Sequence, residues 1–309
     1  MIQWLRSVNG QLVAAETRAQ SEIIRLVAPS SEELAAVCKI TGAPEDFLLA
    51  ATDRFERPRI ETENGASLVI IRVPHEDTKS DVPYMTVSFG IILTPSHIIT
   101  VCAVESPVWD TLQRAKTRMP LPANRIAFLC ALFMQVARLY LEYLYRIRNE
   151  ADSVEREIHH SMKNIMLIRM LNLEKCLVYF TTSLRANEPM WDRIRKIYGR
   201  ELSEEEQDLL DDVRIEFRQA QELADIHSNI LSGMMDAFAS IISNNLNVVM
   251  KFLTAVTIIL MIPTLIASVF GMNVELPFQQ SPHAFLITMV LSVVLSAIGV
   301  IFFLKKKLF

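Results

Sequence analysis

Fifteen positions between Asp212 and Ser268, spaced three and four residues apart, share one helical face: Asp212, Gln219, Glu222, Asn229, Gly233, Asp236, Ser240, Ser243, Asn247, Met250, Thr254, Thr257, Met261, Thr264 and Ser268. Ile215 and Ile226 fill the remaining slots. Most of the set are hydroxyls, amides and thioethers, groups that hold water or an ion loosely and drive no bond-making. A straight helix drifts ~20° per heptad, so such a stripe stays aligned over this distance only if the helices supercoil about a common axis. From Phe252 onward it enters a run without charges. There, a hydroxyl facing lipid bonds back to its own helix, whereas one facing inward meets water or an ion. Small Ser and Thr also serve close helix packing, and the residues alone leave both readings open.

A second pattern lies on the same segment. Val213, Phe217, Ala220, Ala224, Leu231, Met234, Phe238 and Ile241 make a heptad seam, with His227 in the missing slot. No second ligand stands three or four residues from His227, so it reads as a packed seam residue and not as a metal ligand. Cys38, Cys102, Cys130 and Cys176 lie far apart with no C-x-x-C pair, which argues against a zinc ribbon or a disulfide framework and for buried, reduced thiols. No nucleophile–base pair or clustered ligand set emerges, and no G-x-x-x-x-G-K-[ST] loop is present. The expectation is therefore no enzyme, no organic cofactor and no ATP-driven step. A net charge of −4 offers no positive field for nucleic acid.

The elements that must position the stripe follow from hydrophobicity. The chain has 309 residues and is 51% hydrophobic, but its apolar residues are concentrated. Phe252–Phe270 and Ala284–Leu304 are two charge-free runs that as helices span ~28 and ~32 Å, long enough for a bilayer. Lys251 precedes the first, Lys305, Lys306 and Lys307 follow the second, and the linking segment 271–283 has no Lys or Arg. The positive-inside rule then puts both termini in the cytoplasm. The opening MIQWLRSVNG lacks an apolar core, so no cleaved leader is expected. After Ser203, a cap candidate followed by Glu204, Glu205 and Glu206, a single helix of about 67 residues can run to Gly271.

The fold class is read as α+β. Residues 1–120 form a mixed α/β cytoplasmic domain, with strands at Ser67–Val73, Met85–Leu93 and Ile98–Val104 and helices at Ser31–Lys39 and Pro44–Thr52. Paired cytoplasmic helices follow over 121–202, then a stalk helix over 203–251 and a first transmembrane helix over 252–270. An outer loop over 271–283, a second transmembrane helix over 284–304 and a basic tail over 305–309 complete a two-helix hairpin. Two spans cannot enclose a pore, so a pore-lining stripe requires several copies of the chain.

Gly271-Met272-Asn273 directly after the first span, a second span close behind and the terminal Lys305-Lys306-Lys307 closely resemble the CorA family of divalent-cation transporters. The resemblance implies a homopentameric channel in the cell's inner (plasma) membrane that passes Mg²⁺, with Co²⁺ or Ni²⁺ as further cargo. It assigns the selectivity mouth to Gly271, Met272 and Asn273 and the pore face to Asn247, Met250, Leu253, Met261, Thr264 and Asn273. Thr254, Thr257 and Ser268 join that face from the stripe. Met250, Leu253 and Met261 then suggest an apolar constriction that gates by dewetting.

The resemblance also matches Asp212 and Asp236 to acidic positions that sense regulatory Mg²⁺. Their expected carboxylate partner on the N-terminal domain falls at Ala50, with Asp46 and Asp53 nearby. Phe270 stands where many members have Tyr, and Glu275 is the sole carboxylate of the outer loop, suited to concentrating cations. The zinc-transporting branch of the superfamily and a membrane-anchored scaffold are the alternative readings.

Overall fold

The computed structural model describes residues 1–8, 11–114, 125–160, 164–199, 202–272 and 282–305. They divide into two compact units, 1–233 and 234–309.

The first unit is built on a seven-stranded sheet in the order β2-β1-β3-β7-β6-β5-β4. Its strands are β1 (Ile2–Val8), β2 (Gln11–Ala14), β3 (Ile23–Val27), β4 (Arg59–Glu63), β5 (Ala66–Glu76), β6 (Tyr84–Leu93) and β7 (Ile98–Cys102). Only the β3–β7 pair is parallel; the other neighbours are antiparallel. On β5, Leu68 and Ile70 are as fully buried as Val69, Ile71 and Val73, so both faces of the sheet are covered. This explains why the central strands read as continuous apolar runs.

Helices α1 (Ser31–Thr41) and α2 (Glu45–Thr52) cover one face, where Leu34, Val37, Phe47 and Leu48 join Ile24, Ile70, Ile92 and Val101 in one core. The α1 start is a capping box: Ser30 accepts from the Glu33 N–H, and Glu33 accepts from the Ser30 N–H. At Gly90 on β6, any Cβ would lie 2.3 Å from the Ala51 Cβ, so only glycine lets α2 cross there.

After α3 (Val108–Arg114), helices α4 (Arg125–His160) and α5 (Asn164–Asn187) pack against β5. Beyond the last β4–β5 pair, Ile70 with Arg59, the ladder is continued by a side chain. Asn187 accepts from the Arg72 N–H at 2.9 Å and donates to the Arg72 carbonyl at 2.8 Å, and the Tyr140 hydroxyl donates to the same carbonyl at 2.9 Å. Helix α6 (Pro189–Tyr198) starts at once with Pro189 in its first turn.

The long helix predicted after Ser203 is α7 (Glu204–Phe270), 67 residues, and the boundary between the two units falls inside it. Its start is a second capping box, Ser203 with Glu206. In the first unit, Val213, Phe217, Ala220, Ala224, His227 and Leu231 are buried. Phe217 lies 4.6 Å from Trp191 and 6.3 Å from Tyr140, ring centre to ring centre. The heptad seam is therefore filled by helices of the same chain, and it fades at its end, where Ile241 is exposed. In the second unit, α7 is followed by α8 (Ala284–Lys305). A Cβ at Gly299 of α8 would lie 3.4 Å from Ile262 and 3.8 Å from Ile259, so the missing side chain lets the two helices approach.

All four cysteines are unpaired, and three are buried. Burial pushes the Cys130 thiol up to about 12 and the Cys176 thiol up to about 11, which keeps both protonated and unreactive.

Candidate ion pathway

Among the described residues, three helices contain stretches long and apolar enough to cross a membrane, and burial separates them. The apolar stretch of α4 is 67% buried within the chain, those of α7 and α8 only 11% and 0%. Helix α4 is a core helix whose greasy face is already covered by protein. The α7 and α8 surfaces have no such cover, and an apolar surface of that extent needs lipid or other copies of the chain.

Every member of the fifteen-residue stripe is exposed, as are Ile215 and Ile226 between them. In the first unit the seam of α7 faces inward and the opposite face, left free, carries Asp212, Gln219, Glu222, Asn229 and Gly233; in the second unit the members from Asp236 to Ser268 lie on an α7 surface that is largely exposed all round. Leu253 is also exposed and adjoins the stripe, three residues after Met250 and four before Thr257.

The hydroxyls have a defined orientation. Thr254 donates to the Met250 carbonyl at 2.8 Å, Thr257 to Leu253 at 2.8 Å and Thr264 to Leu260 at 3.2 Å. With the proton directed at the helix's own backbone, each oxygen presents only lone pairs outward. That suits a hydrated cation, whose shell offers donors. Thr288 and Ser292 on α8 make the same bonds, so back-bonding alone does not distinguish a water-facing helix from a lipid-facing one. What distinguishes α7 is that its hydroxyls continue an exposed row of Asn, Ser and Asp.

At the end of α7, the Gly271 N–H donates to the Ala267 carbonyl at 2.9 Å and the Met272 N–H to Val269 at 3.3 Å. A Cβ on residue 271 would stand 3.1 Å from the Ala267 oxygen, tighter than ordinary contact, so glycine eases the closing turn. Asn273 and Glu275 lie outside the described residues, as do Lys306 and Lys307. Pro263 sits inside α7 and removes the donor that the Ile259 carbonyl would otherwise meet. A cavity of about 490 Å³ lies beside it, lined in part by Pro263, Ile266, Ser292 and Ser296.

The acidic residues of α7 fall into two kinds. Asp211 is held by Arg195 of α6 at 2.8 Å and Asp225 by Arg185 of α5 at 2.9 Å. Asp212 and Asp236 are exposed and pair with no described residue of the chain. Among the described residues, no three His, Cys, Asp or Glu converge to hold a metal. Ala50 packs at the edge of the core on α2. Asp53 ends that helix and accepts from the Phe55 N–H, and Asp46 is exposed in its first turn. Among the described residues of the chain, then, neither Asp212 nor Asp236 belongs to a cluster of metal ligands.

The sequence reading missed the buried tie between Asn187 and Arg72. An Asn two residues before a proline and an Arg in an apolar strand are its only traces in the sequence.

Residues 19–306 match the family described as CorA-like Mg²⁺ transporter protein. The chain is 27% identical to the cobalt/magnesium transport protein CorA of Methanocaldococcus jannaschii, over 90% of this chain and 88% of that protein. It is 24% identical to the protein of the same description from Thermotoga maritima, over 82% and 73%. The solved complete structure of the CorA magnesium transporter from Methanocaldococcus jannaschii superposes with a TM-score of 0.84 at 24% identity, covering 98% of this chain and 97% of that one.

Proposed function

The chain belongs to the CorA-like Mg²⁺ transporter family, a family of transporters and not of enzymes, and from that premise we propose that copies of it assemble into a pore through which divalent cations, Mg²⁺ first among them, enter the cell down the membrane potential. The observation that supports this reading is the exposed, mostly polar row on α7 from Asp212 to Ser268, interrupted by Ile215 and Ile226.

Five copies arranged about that row give a homopentamer with α7 inside and α8 toward lipid. The residues 252–270 and 284–304 are the spans, both termini are cytoplasmic, and 271–283 faces outward in the inner membrane. Mg²⁺ dehydrates reluctantly, so a mouth of Gly271, Met272 and Asn273 with neutral oxygens binds its hydration shell without trapping it. Glu275 raises the local cation concentration at the entrance. Asn247, Thr254, Thr257, Thr264 and Ser268 receive the hydrated ion as acceptors, and Met250, Leu253 and Met261 narrow the path with side chains that water leaves easily. Moving two charges through ~100 mV releases ~4.6 kcal/mol, enough to drive uptake without a nucleotide. Asp212 and Asp236, which pair with no described residue of the chain, hold regulatory Mg²⁺ between neighbouring stalks and favour the closed bundle.

The test is paired tracer uptake of ²⁸Mg²⁺ and ⁶⁵Zn²⁺ into liposomes containing the purified protein. Preferential magnesium uptake supports the reading. Preferential zinc uptake moves the chain to the zinc-transporting alternative, and no uptake of either leaves the anchored scaffold.

A further inference from the structure

His227 is the one titratable residue in the buried seam of α7. The pattern asks for an apolar side chain in its slot, between Ala224 and Leu231, yet an imidazole stands there with only 8% of its surface exposed. Its Nδ1 is buried without a hydrogen-bond partner. Across the seam on α4 it faces the Leu144 carbonyl and two charges, Arg148 and Asp152, which lie 4.0 Å apart as an ion pair. On α5, Arg185 is engaged by Asp225, two residues before His227. Beyond His227, the only fully buried α7 residues before Ala255 are Leu231 and Phe238. The imidazole therefore sits next to the last contacts through which α7 is held by packing.

We propose that His227 is a proton-operated latch: neutral, it fills the seam and holds α7 on α4, and protonated, it releases the end of the packed segment and lets the stalk move. The packed form disfavours the charge because the ring is desolvated and because Arg148 stands beside it, and Asp152 offsets this only in part. The Leu144 carbonyl, as an acceptor, also favours the protonated ring, yet burial and Arg148 outweigh both and hold it below the ordinary histidine value of 6.5.

The sign follows from linkage. Above pH 6.5 both packed and released forms are neutral, and the packing is at full strength. As pH falls below 6.5 the released form takes up its proton first, so release gains by up to about tenfold per pH unit until the lowered value of the packed form is reached. The pore enters only at the last step, which rests on the function proposed above: a released stalk opens the pathway, so cytoplasmic acidification raises cation flux.

The test is hydrogen–deuterium exchange on the full-length protein in nanodiscs at pH 5.8 and 7.8, with labelling times scaled for intrinsic exchange, in wild type and His227→Leu. In wild type, peptides covering 220–238 and 140–152 should exchange about three- to sixfold faster at the lower pH relative to the rest of α4 and α5. His227→Leu should remove that difference while keeping the seam filled, and His227→Gln should remove it while keeping a polar group. An equal acid response in wild type and His227→Leu, or no response in wild type, overturns the latch. Mg²⁺ flux in liposomes at the same two pH values forms the second arm. Flux that ignores pH while exchange responds overturns the coupling to the pore. Absence of flux at either pH counts against the pore itself and leaves the exchange result to decide the latch.

Discussion

In the proposed mouth a carboxylate at position 273 would bind Mg²⁺ too well, whereas the Asn273 amide would let it go. Asn273→Ala is expected to abolish Mg²⁺ uptake in liposomes while the oligomer, measured by light scattering, stays intact. Wild-type uptake in that variant contradicts the mouth assignment. The regulatory and gating residues separate by ion dependence. Asp236→Ala should weaken the protection from trypsin that added Mg²⁺ gives the closed form. Met250→Ala or Met261→Ala should raise leak at every Mg²⁺ concentration, by enlarging and wetting the constriction. If Asp236→Ala keeps the full magnesium response while Met250→Ala leaks, the sensor role is lost and the pore stands. The stripe could be read from the chain because a 3.6-residue period fixes which side chains share a face. The pairing that sets Asp211 and Asp225 apart from Asp212 and Asp236 could not, because it depends on Arg195 and Arg185 arriving from other helices.

The elements divide along the same line, between local signals and distant ones. Two helix starts rest on a purely local signal, a Ser with Glu three residues on: Ser30 with Glu33 and Ser203 with Glu206 both form capping boxes. The run after Ser203 was legible as one helix because a proline-tolerant apolar stretch and no turn cluster leave the backbone no reason to stop. Strands β1, β2 and β4 gave no comparable signal: they carry Arg, Gln or Glu among their apolar residues, and each is held by its ladder partner, β1 by β3, β2 by β1 and β4 by β5. The seam was visible, but not that its occupants come from the same chain. Phe217→Ala tests that packing. Removing a ring held between Trp191 and Tyr140 should cost about 3–5 kcal/mol, read as a lower midpoint in chemical denaturation. Asn187→Ala orphans the Arg72 N–H and weakens the hold on its carbonyl, and a loss of about 1–3 kcal/mol for a buried unsatisfied group is expected in the same assay. A neutral result there would mean that water or Tyr140 replaces the amide.

For the whole molecule, the fold explains what must lie outside one chain. The first unit closes its own core on both sheet faces, while the second leaves two apolar helices and a polar stripe uncovered. An apolar surface of that extent calls for lipid or for other copies of the chain. The central claim is that the stripe lines a conduit in which the membrane potential does the work. Its most direct measurement is Mg²⁺ entry, followed with a trapped Mg²⁺-sensitive dye, into liposomes of purified protein as an inside-negative potassium diffusion potential is stepped from zero. The account predicts initial rates that rise steeply with potential, need no nucleotide and vanish in Asn273→Ala. Rates that do not depend on the potential, or entry that persists unchanged in Asn273→Ala, would contradict it.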